Sequence, residues 1–346
     1  MANRVTIQDI ADELGLSRNT VSKALNNAAG LADATRERII QKAMEMGYKQ
    51  FAFLGAGQAL PRQSLTEVID GPNEIALFTT SFIDRSHFAS LTLDALQNDL
   101  SQRGYVLNTH RVSKEQISTL TLPLTFRPEA TAAIIGIEMF DMAYDQMVCS
   151  LGIPTLFFDS PACTDGIPLN SDLLLMDNTN GIIHLVNTML AKGVKRIGFV
   201  GDWEHCRSFF ERYTAFRSAM VLAHESVDER FCIEQNKEAR IFSELSKLDE
   251  LPELFICAND FVAFDTLRAL RHLGLDVPRD ILLSGFDDSA ESRNWMPPLT
   301  TVHIHTQSMA FNAMGMLMTR MQEPSLEYRM VYTQTDLICR RSTERD

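Results

Sequence analysis

The 346-residue chain contains no CxxC pair. Its six cysteines, Cys149, Cys163, Cys206, Cys232, Cys257 and Cys339, are scattered. That spacing argues for reduced thiols and against a disulfide framework or a zinc site. No run of about 18 apolar residues is present, so no membrane span is expected. Met1-Ala2-Asn3-Arg4 leads into no apolar segment, so the expectation is a cytoplasmic chain without a secretory leader. GxSxG, HExxH and Walker patterns are missing. Gly55-Ala56-Gly57-Gln58 follows no strand pattern and lacks the third glycine of a dinucleotide loop. His303 and His305 have no companion ligands and are expected on opposite sides of an extended segment. These absences leave no catalytic constellation, no metal site and no cofactor, and the chain reads as a non-enzyme.

Basic charge is also scarce. The formal net charge is −13. Its distribution is uneven: residues 1–60 balance at +1, whereas the remainder balances at −14. A nearly neutral head does not hold nucleic acid by charge alone. It needs specific contacts and two copies per site.

The length exceeds one small core, so two or three domains are expected. Residues 5–49 read as a helical unit. Ile7, Ile10, Ala11 and Leu14 follow the i, i+3, i+4, i+7 spacing of one buried helix face. Thr6 with Asp9 makes a capping-box variant, and Gly15 is the natural exit. Ser17 caps a second short helix with Val21, Ala24 and Leu25 inward. A third helix covers about residues 34–46. Residues 51–72 read as a linker with Gly55, Gly57, Pro61, Gly71 and Pro72.

From residue 73 strand-like apolar runs alternate with amphipathic helices. The strands are Ile75–Thr79, Ala132–Ile137, Thr155–Phe158, Arg196–Val200, Leu254–Cys257 and Ile281–Ser284. Helices are expected at about 87–103, 141–150, 178–192, 208–223, 259–273 and 306–321. Fully apolar strands alternating with helices imply parallel sheets with crossover helices, so the fold class is α/β behind an all-α head. Two such sheets with a cleft between them suit this length. The lobes are drawn at about 73–172 plus 304–330, and 173–303 plus 331–346.

Residues 5–26 read VTIQDIADELGLSRNTVSKALN. Two short helices meet at a glycine turn, and small Ala11 lets them cross closely. The second helix presents Arg18, Asn19 and Lys23 outward. Arg and Asn make bidentate contacts in the major groove, to guanine and adenine respectively. Thr6, Ser17, Thr20 and Ser22 offer short hydroxyls for phosphates, and Asn26 closes the set. A plain three-helix bundle would need neither the outward readers nor this spacing.

The segment resembles the headpiece of the lactose-repressor/purine-repressor (LacI/GalR) family, whose pattern runs VTIxDIAxxAGVSxxTVSxxLN. The likeness continues through Thr35-Arg36-Glu37-Arg38-Ile39 and Met46-Gly47-Tyr48. It extends to Gly152-Ile153-Pro154, Met176-Asp177-Asn178, Gly193–Gly201, Cys257-Ala258-Asn259-Asp260, Gly285-Phe286-Asp287-Asp288, Pro297–Val302 and Leu337–Thr343. The resemblance implies a periplasmic-binding-protein fold for the larger part. It further implies double-stranded operator DNA as partner, a homodimer with tetramer as the larger alternative, and repression controlled by a small effector.

Effector contacts are expected beyond the carboxyl ends of the strands. Asp159, Asn259, Asp260 and Asp287 fall there, and their groups suit a sugar or other polyhydroxy ligand. Asn259 or Asp260 also suits an N-cap. The resemblance adds His87 and Phe88 as an aromatic wall. Trp203 follows a strand end and either stacks on a sugar ring or packs on its own domain. Phe210 stands where the family carries a ligand-binding arginine; Arg207 or Arg212 is the alternative substitute, although neither aligns. An anionic effector is therefore not supported. A second departure is in the hinge: Lys49–Gly57 lacks the family's proline and arginine, and Gly57 replaces a groove-inserting leucine. No ordered hinge helix is expected without DNA. The alternative function is a ligand-binding module or sugar-active enzyme with a vestigial DNA-binding head.

Overall fold

A computed structural model describes residues 6–25, 33–46, 71–81, 87–162 and 166–345. Asn26 and the expected hinge, residues 49–57, lie outside them, as do the side chains of His87 and Phe88. By backbone contacts the chain divides into two units, Met1–Glu67 and Val68–Asp346.

In the first unit, α1 spans Ile7–Leu14, α2 Arg18–Leu25 and α3 Asp33–Glu45. The capping box forms as its residues dictate. Asp9 N–H donates to Thr6 Oγ1 at 3.3 Å, and Thr6 N–H donates to Asp9 Oδ2 at 2.7 Å. Gly15 takes φ +64°, and Leu16 N–H returns to the Ala11 carbonyl at 2.9 Å. A left-handed residue there lets the chain turn straight into α2. Ser17 Oγ accepts from Thr20 N–H at 3.1 Å, capping that helix. Ile10, Ala11, Val21, Ala24, Ile39 and Ala43 form the core, with Leu14, Leu16 and Met46 packed around it.

The second unit holds two parallel sheets. The first lobe is ordered β11-β5-β4-β3-β1-β2: Met330–Thr333 (β11), Asp172–Met176 (β5), Thr155–Phe158 (β4), Thr131–Ile137 (β3), Glu74–Thr79 (β1) and Val106–Arg111 (β2). Helices α4 (His87–Gln102), α5 (Lys114–Thr119) and α6 (Met142–Cys149) connect these strands. The second lobe is ordered β7-β6-β8-β9: Cys232–Ile233 (β7), Ile197–Val200 (β6), Leu254–Cys257 (β8) and Leu282–Ser284 (β9). Its helices are α7 (Asn180–Ala191), α8 (Arg207–Leu222), α9 (Glu238–Leu245), α10 (Asp260–His272) and α11 (Ala290–Asn294). β1, β3, β4, β5, β6 and β8 are buried along nearly their whole length, the burial expected when helices cover both faces of a parallel sheet.

The chain passes between lobes at residues 176–180, 304–306 and 333–335. β10 (Thr301–Ile304) pairs antiparallel with β12 (Thr335–Ile338), and α12 (Thr306–Gln322) then packs on the first lobe. The first and third passages are tied: Asp177 N–H donates to the Thr333 carbonyl at 2.7 Å, and Thr335 Oγ1 donates to the Asp177 carbonyl at 2.8 Å. The first-lobe sheet thus continues to Met176 and Thr333, four and three residues past the boundaries drawn from sequence. The buried anchor of these strands is Asp172, 1% exposed, which accepts from Arg320, Arg329 and the Arg329 backbone at 2.7–3.2 Å.

His303 and His305 do not face opposite ways. Their rings meet edge to face at 4.9 Å, because residues two apart on a strand share a face. His303 Nδ1 lies 2.9 Å from Asp288 and His305 Nε2 lies 3.0 Å from Asp336. No helix among the described residues is long and apolar enough to cross a membrane.

Candidate DNA-reading face and ligand cleft

α2 buries Val21 and Ala24 and turns the rest outward. Thr6, Ser17, Arg18, Asn19 and Lys23 are exposed, while Thr20 and Ser22 are half-buried. Arg18, Asn19 and Lys23 have no hydrogen bond or ion pair among the described residues. Arg18, Asn19 and Lys23 take no part in fixing the helix, which rests on Val21 and Ala24. These three side chains therefore stand on a packed base without being consumed by it. Thr6, Ser17 and Thr20 do double duty, since their hydroxyls also serve the caps.

The cleft of the second unit has a volume of about 670 Å³, within the usual range for small-molecule sites. Glu138 follows β3, Asp159 follows β4 and Asp287 follows β9. All three line the cleft at positive φ, +57°, +68° and +114° respectively. Non-glycine residues uncommonly adopt that backbone, aspartate more readily than most, and Leu120, His224 and Asp288 do so outside the cleft. Asp159 Oδ1 accepts from Ser160 N–H at 2.8 Å and from Ser208 N–H at 3.2 Å, so it bridges the first lobe to the start of α8. Burial pushes the Asp159 carboxyl up from its ordinary value, against those hydrogen bonds. Asp287 is pushed well up by burial and by neighbouring Asp260 and Glu138, with Arg212 opposing. Carboxyl oxygens at these points accept hydrogen bonds from hydroxyl groups.

Asn259 satisfies both of its readings. Its Oδ1 caps α10 by accepting from Val262 N–H at 2.9 Å, and the residue also lines the cleft. Asp260 has only the structural role. It is fully buried, accepts from Ser289 N–H, Ser289 Oγ and Thr301 Oγ1 at 2.7–2.8 Å, and does not line the cleft. A side chain on Gly285 would place its Cβ 2.3 Å from Asp260 Oδ1, so this hub requires glycine there.

One aromatic alternative resolves and one aromatic expectation changes. Trp203 stacks on Tyr213 at 4.3 Å and 10°, packing on its own domain rather than lining the cleft. Phe210 lines a separate hollow. The cleft arginine is Arg212. Two helical residues apart means about 200° around the axis, so Phe210 and Arg212 cannot both face the ligand. Arg212 is 2% exposed and lies 3.6 Å over the Phe286 ring. Its Nε donates to Asn178 Oδ1 at 2.9 Å and its Nη1 to the Ala258 carbonyl at 2.7 Å.

Several lining groups went unnoticed in the sequence. Phe140 and His205 form an edge-to-face wall, with centroids 5.0 Å apart. Burial lowers the His205 pKa and favours the neutral ring. Lys237, and Arg268 paired with Glu238 at 2.7 Å, complete the lining. Glu138 was findable by the same strand-end rule that gave Asp159. Arg212 was one of two candidate arginines, and the choice between them depends on where α8 begins; His205 lies in the turn before that helix and carried no such signal. Among the described residues no cluster of three or more His, Cys, Asp and Glu could hold a metal ion.

Residues 6–50 match the family model of bacterial regulatory proteins, lacI family, and residues 186–343 match the periplasmic binding protein-like domain. Relatives include the HTH-type transcriptional regulator GalR of Lacticaseibacillus casei, 27% identical over 98% of this chain and 99% of its own length. The HTH-type transcriptional repressor PurR of Actinobacillus pleuropneumoniae serotype 3 (strain JL03) is 25% identical over 97% and 98%. Among solved structures, the transcriptional regulator CelR–cellobiose complex superposes with TM-score 0.67 at 22% identity, covering 98% of this chain and 100% of that one. The lac repressor dimer bound to operator and the anti-inducer ONPF gives 0.65 at 20%, covering 99% of each. The chain belongs to the LacI family of DNA-binding bacterial transcriptional regulators, with a helix-turn-helix head and a periplasmic-binding-protein-like ligand-binding domain.

Proposed function

We propose that this regulator is a homodimeric repressor whose operator affinity is set by a neutral polyhydroxy ligand, a sugar or close relative, held between the two lobes. The observation that carries the reading is the cleft lining. Asp159, Asp287 and Asn259 stand at strand ends with one buried arginine, Arg212, and the aromatic wall of Phe140 and His205. Carboxyl groups, an amide and a flat apolar wall match a ring that carries hydroxyls. The solved relative in complex with cellobiose supports this ligand class.

In the head, residues 1–50, Arg18, Asn19 and Lys23 read base edges, while Thr6, Ser17, Thr20, Ser22 and Asn26 meet phosphates. Two heads on half-sites about one helical turn apart offset the weak charge of each. Residues 51–72 link the head to the ligand-binding part. The protein binds its ligand without turning it over.

The test has two arms. A thermal-shift screen of sugars and polyols on the full chain identifies the ligand. Fluorescence anisotropy on DNA upstream of its own gene, with and without that ligand, reads the coupling. Arg18→Ala removes base discrimination of about 1–3 kcal/mol and leaves ligand binding intact. Retained operator preference in that variant, or turnover of the ligand, overturns the reading.

A further inference from the structure

Helix α8 has two working flanks. Ser208, Phe209 and Arg212 face the cleft. Phe210, Glu211, Thr214, Ala215 and Ser218 line a second hollow of about 460 Å³. Asp177, Thr179 and Ile183 near the first lobe passage, with Tyr332 and Gln334 near the third, make its other walls. The walls are mainly apolar, yet they are open to solvent: Phe210 is 42% exposed and Tyr332 44%.

The charges in this hollow have one sign. Its lining contains Asp177 and Glu211 and neither lysine nor arginine. Glu211 is matched by Arg207, whose Nε donates to Oε1 at 2.7 Å, and Tyr332 Oη donates to the same oxygen at 2.7 Å. Asp177 has no basic partner among the described residues. Its Oδ1 accepts from Thr179 N–H at 2.9 Å, Thr179 Oγ1 at 2.7 Å and Asn180 N–H at 3.2 Å, and its Oδ2 accepts from Asn180 Nδ2 at 2.5 Å. Burial opposes its ionisation, but those bonds outweigh burial and hold the carboxyl below its ordinary value. A permanent anion therefore sits beside an exposed aromatic surface.

One buried amide connects this hollow to the cleft. Asn178 is fully buried. Its Nδ2 donates to Glu211 Oε2 at 2.9 Å and to Ser208 Oγ at 3.2 Å, while its Oδ1 accepts from Arg212 Nε at 2.9 Å. A shift of Glu211 on one flank therefore reaches the arginine on the other.

We propose that the hollow is a second ligand site for a small molecule joining an apolar ring to a protonated amine, and that Asn178 couples its occupancy to the cleft. The ring covers Phe210, Ile183 and Ala215, and the ammonium group meets Asp177. The site stands on its own geometry; the coupling rests on the cleft reading above.

Three probes test it on the full chain by calorimetric titration: 2-phenylethylamine, 2-phenylethanol and 3-phenylpropanoate. The amine is expected to bind saturably, the alcohol at least tenfold more weakly and the carboxylate not at all. Thr214→Trp, at an exposed lining position, fills the hollow and is expected to abolish amine binding. Equal binding of the three probes, no amine binding to the parent, or undiminished binding to Thr214→Trp overturns the site. Arg212→Lys keeps the charge but loses the Nε bond to Asn178, and is expected to change amine affinity at least threefold. Unchanged affinity overturns the coupling. Sugars that still stabilise Thr214→Trp leave the cleft reading intact whatever the amine does.

Discussion

Asp145 on α6 is fully buried, and neither of its carboxyl oxygens has a hydrogen-bond partner among the described residues. Burial, with a smaller push from the charge of Asp141, raises its pKa from 3.8 to about 8. At neutral pH the folded chain therefore keeps this proton and the unfolded chain loses it. Between the two values the unfolded state binds fewer protons, so stability falls as pH rises, by about 1.4 kcal/mol per unit. The loss begins near the unfolded value and is complete above the folded one. Asp145→Asn removes the titrating group at nearly constant shape. The amide carries its own burial cost, about 1–3 kcal/mol for unmade hydrogen bonds, but that cost does not vary with pH.

The difference between parent and variant therefore isolates one proton. Urea unfolding at pH 5, 6 and 7 is expected to show the variant gaining on the parent by about 3 kcal/mol over those two units, as an upper figure. The gain levels off above pH 8. Parallel stability curves for the two proteins would refute the reasoning. They would mean that Asp145 ionises in the fold by recruiting water, and that its burial costs far less than the geometry indicates.

Asp172→Ala strips Arg320, itself 4% exposed, of its buried partner, and a loss of about 3–5 kcal/mol is expected in the same unfolding assay. Gly285→Ala forces a Cβ against Asp260 and is expected to cost about 1–3 kcal/mol, read as a lower melting temperature. Thr6→Ala removes the α1 cap and costs about 1 kcal/mol, seen as faster hydrogen exchange in the head with the second unit unchanged.

Whatever depends on local chemistry could be read from the chain. The Thr6 box, the Gly15 turn and the Ser17 cap form as their spacing predicts. The six apolar strand runs also form, within a residue at each end, because a strand buried on both faces needs no tertiary information to be noticed. Strands missed by that rule have other reasons to exist. β2 is an edge strand of sequence Val-Leu-Asn-Thr-His-Arg, mostly accessible, with no apolar run. β5, by contrast, carries the buried apolar run 173–176 and was legible by the same rule; what no local pattern shows is that its first residue, Asp172, is met by Arg320 and Arg329, 148 and 157 residues away. No window of neighbouring residues contains that pairing. The cleft divides in the same way. Asp159, Asn259 and Asp287 follow from strand ends, whereas the choice of Arg212 over Phe210 depends on helix phase.

That phase also gives α8 its mechanical role. Its first turn belongs to the second lobe, yet Arg207 N–H donates to the Ser160 carbonyl at 2.9 Å and Ser208 N–H donates to Asp159 at 3.2 Å, both in the first lobe. The N-terminus of a helix attracts a carboxylate, so this junction favours the two lobes staying together. In the proposed reading, a ligand hydroxyl that reaches Asp159 competes with Ser208 N–H for the same oxygens. Binding then loosens one hydrogen bond of the junction while adding contacts to Asp287, Asn259 and Arg212 on the second lobe. The lobe angle follows from the difference between these sets of contacts, and only a difference of that kind lets a ligand shift a conformational equilibrium. Asp159→Asn retains a group that can accept at this point, while Asp159→Ala removes it. A coupling between ligand and DNA that survives the first substitution and fails in the second would place the lever at this carboxyl.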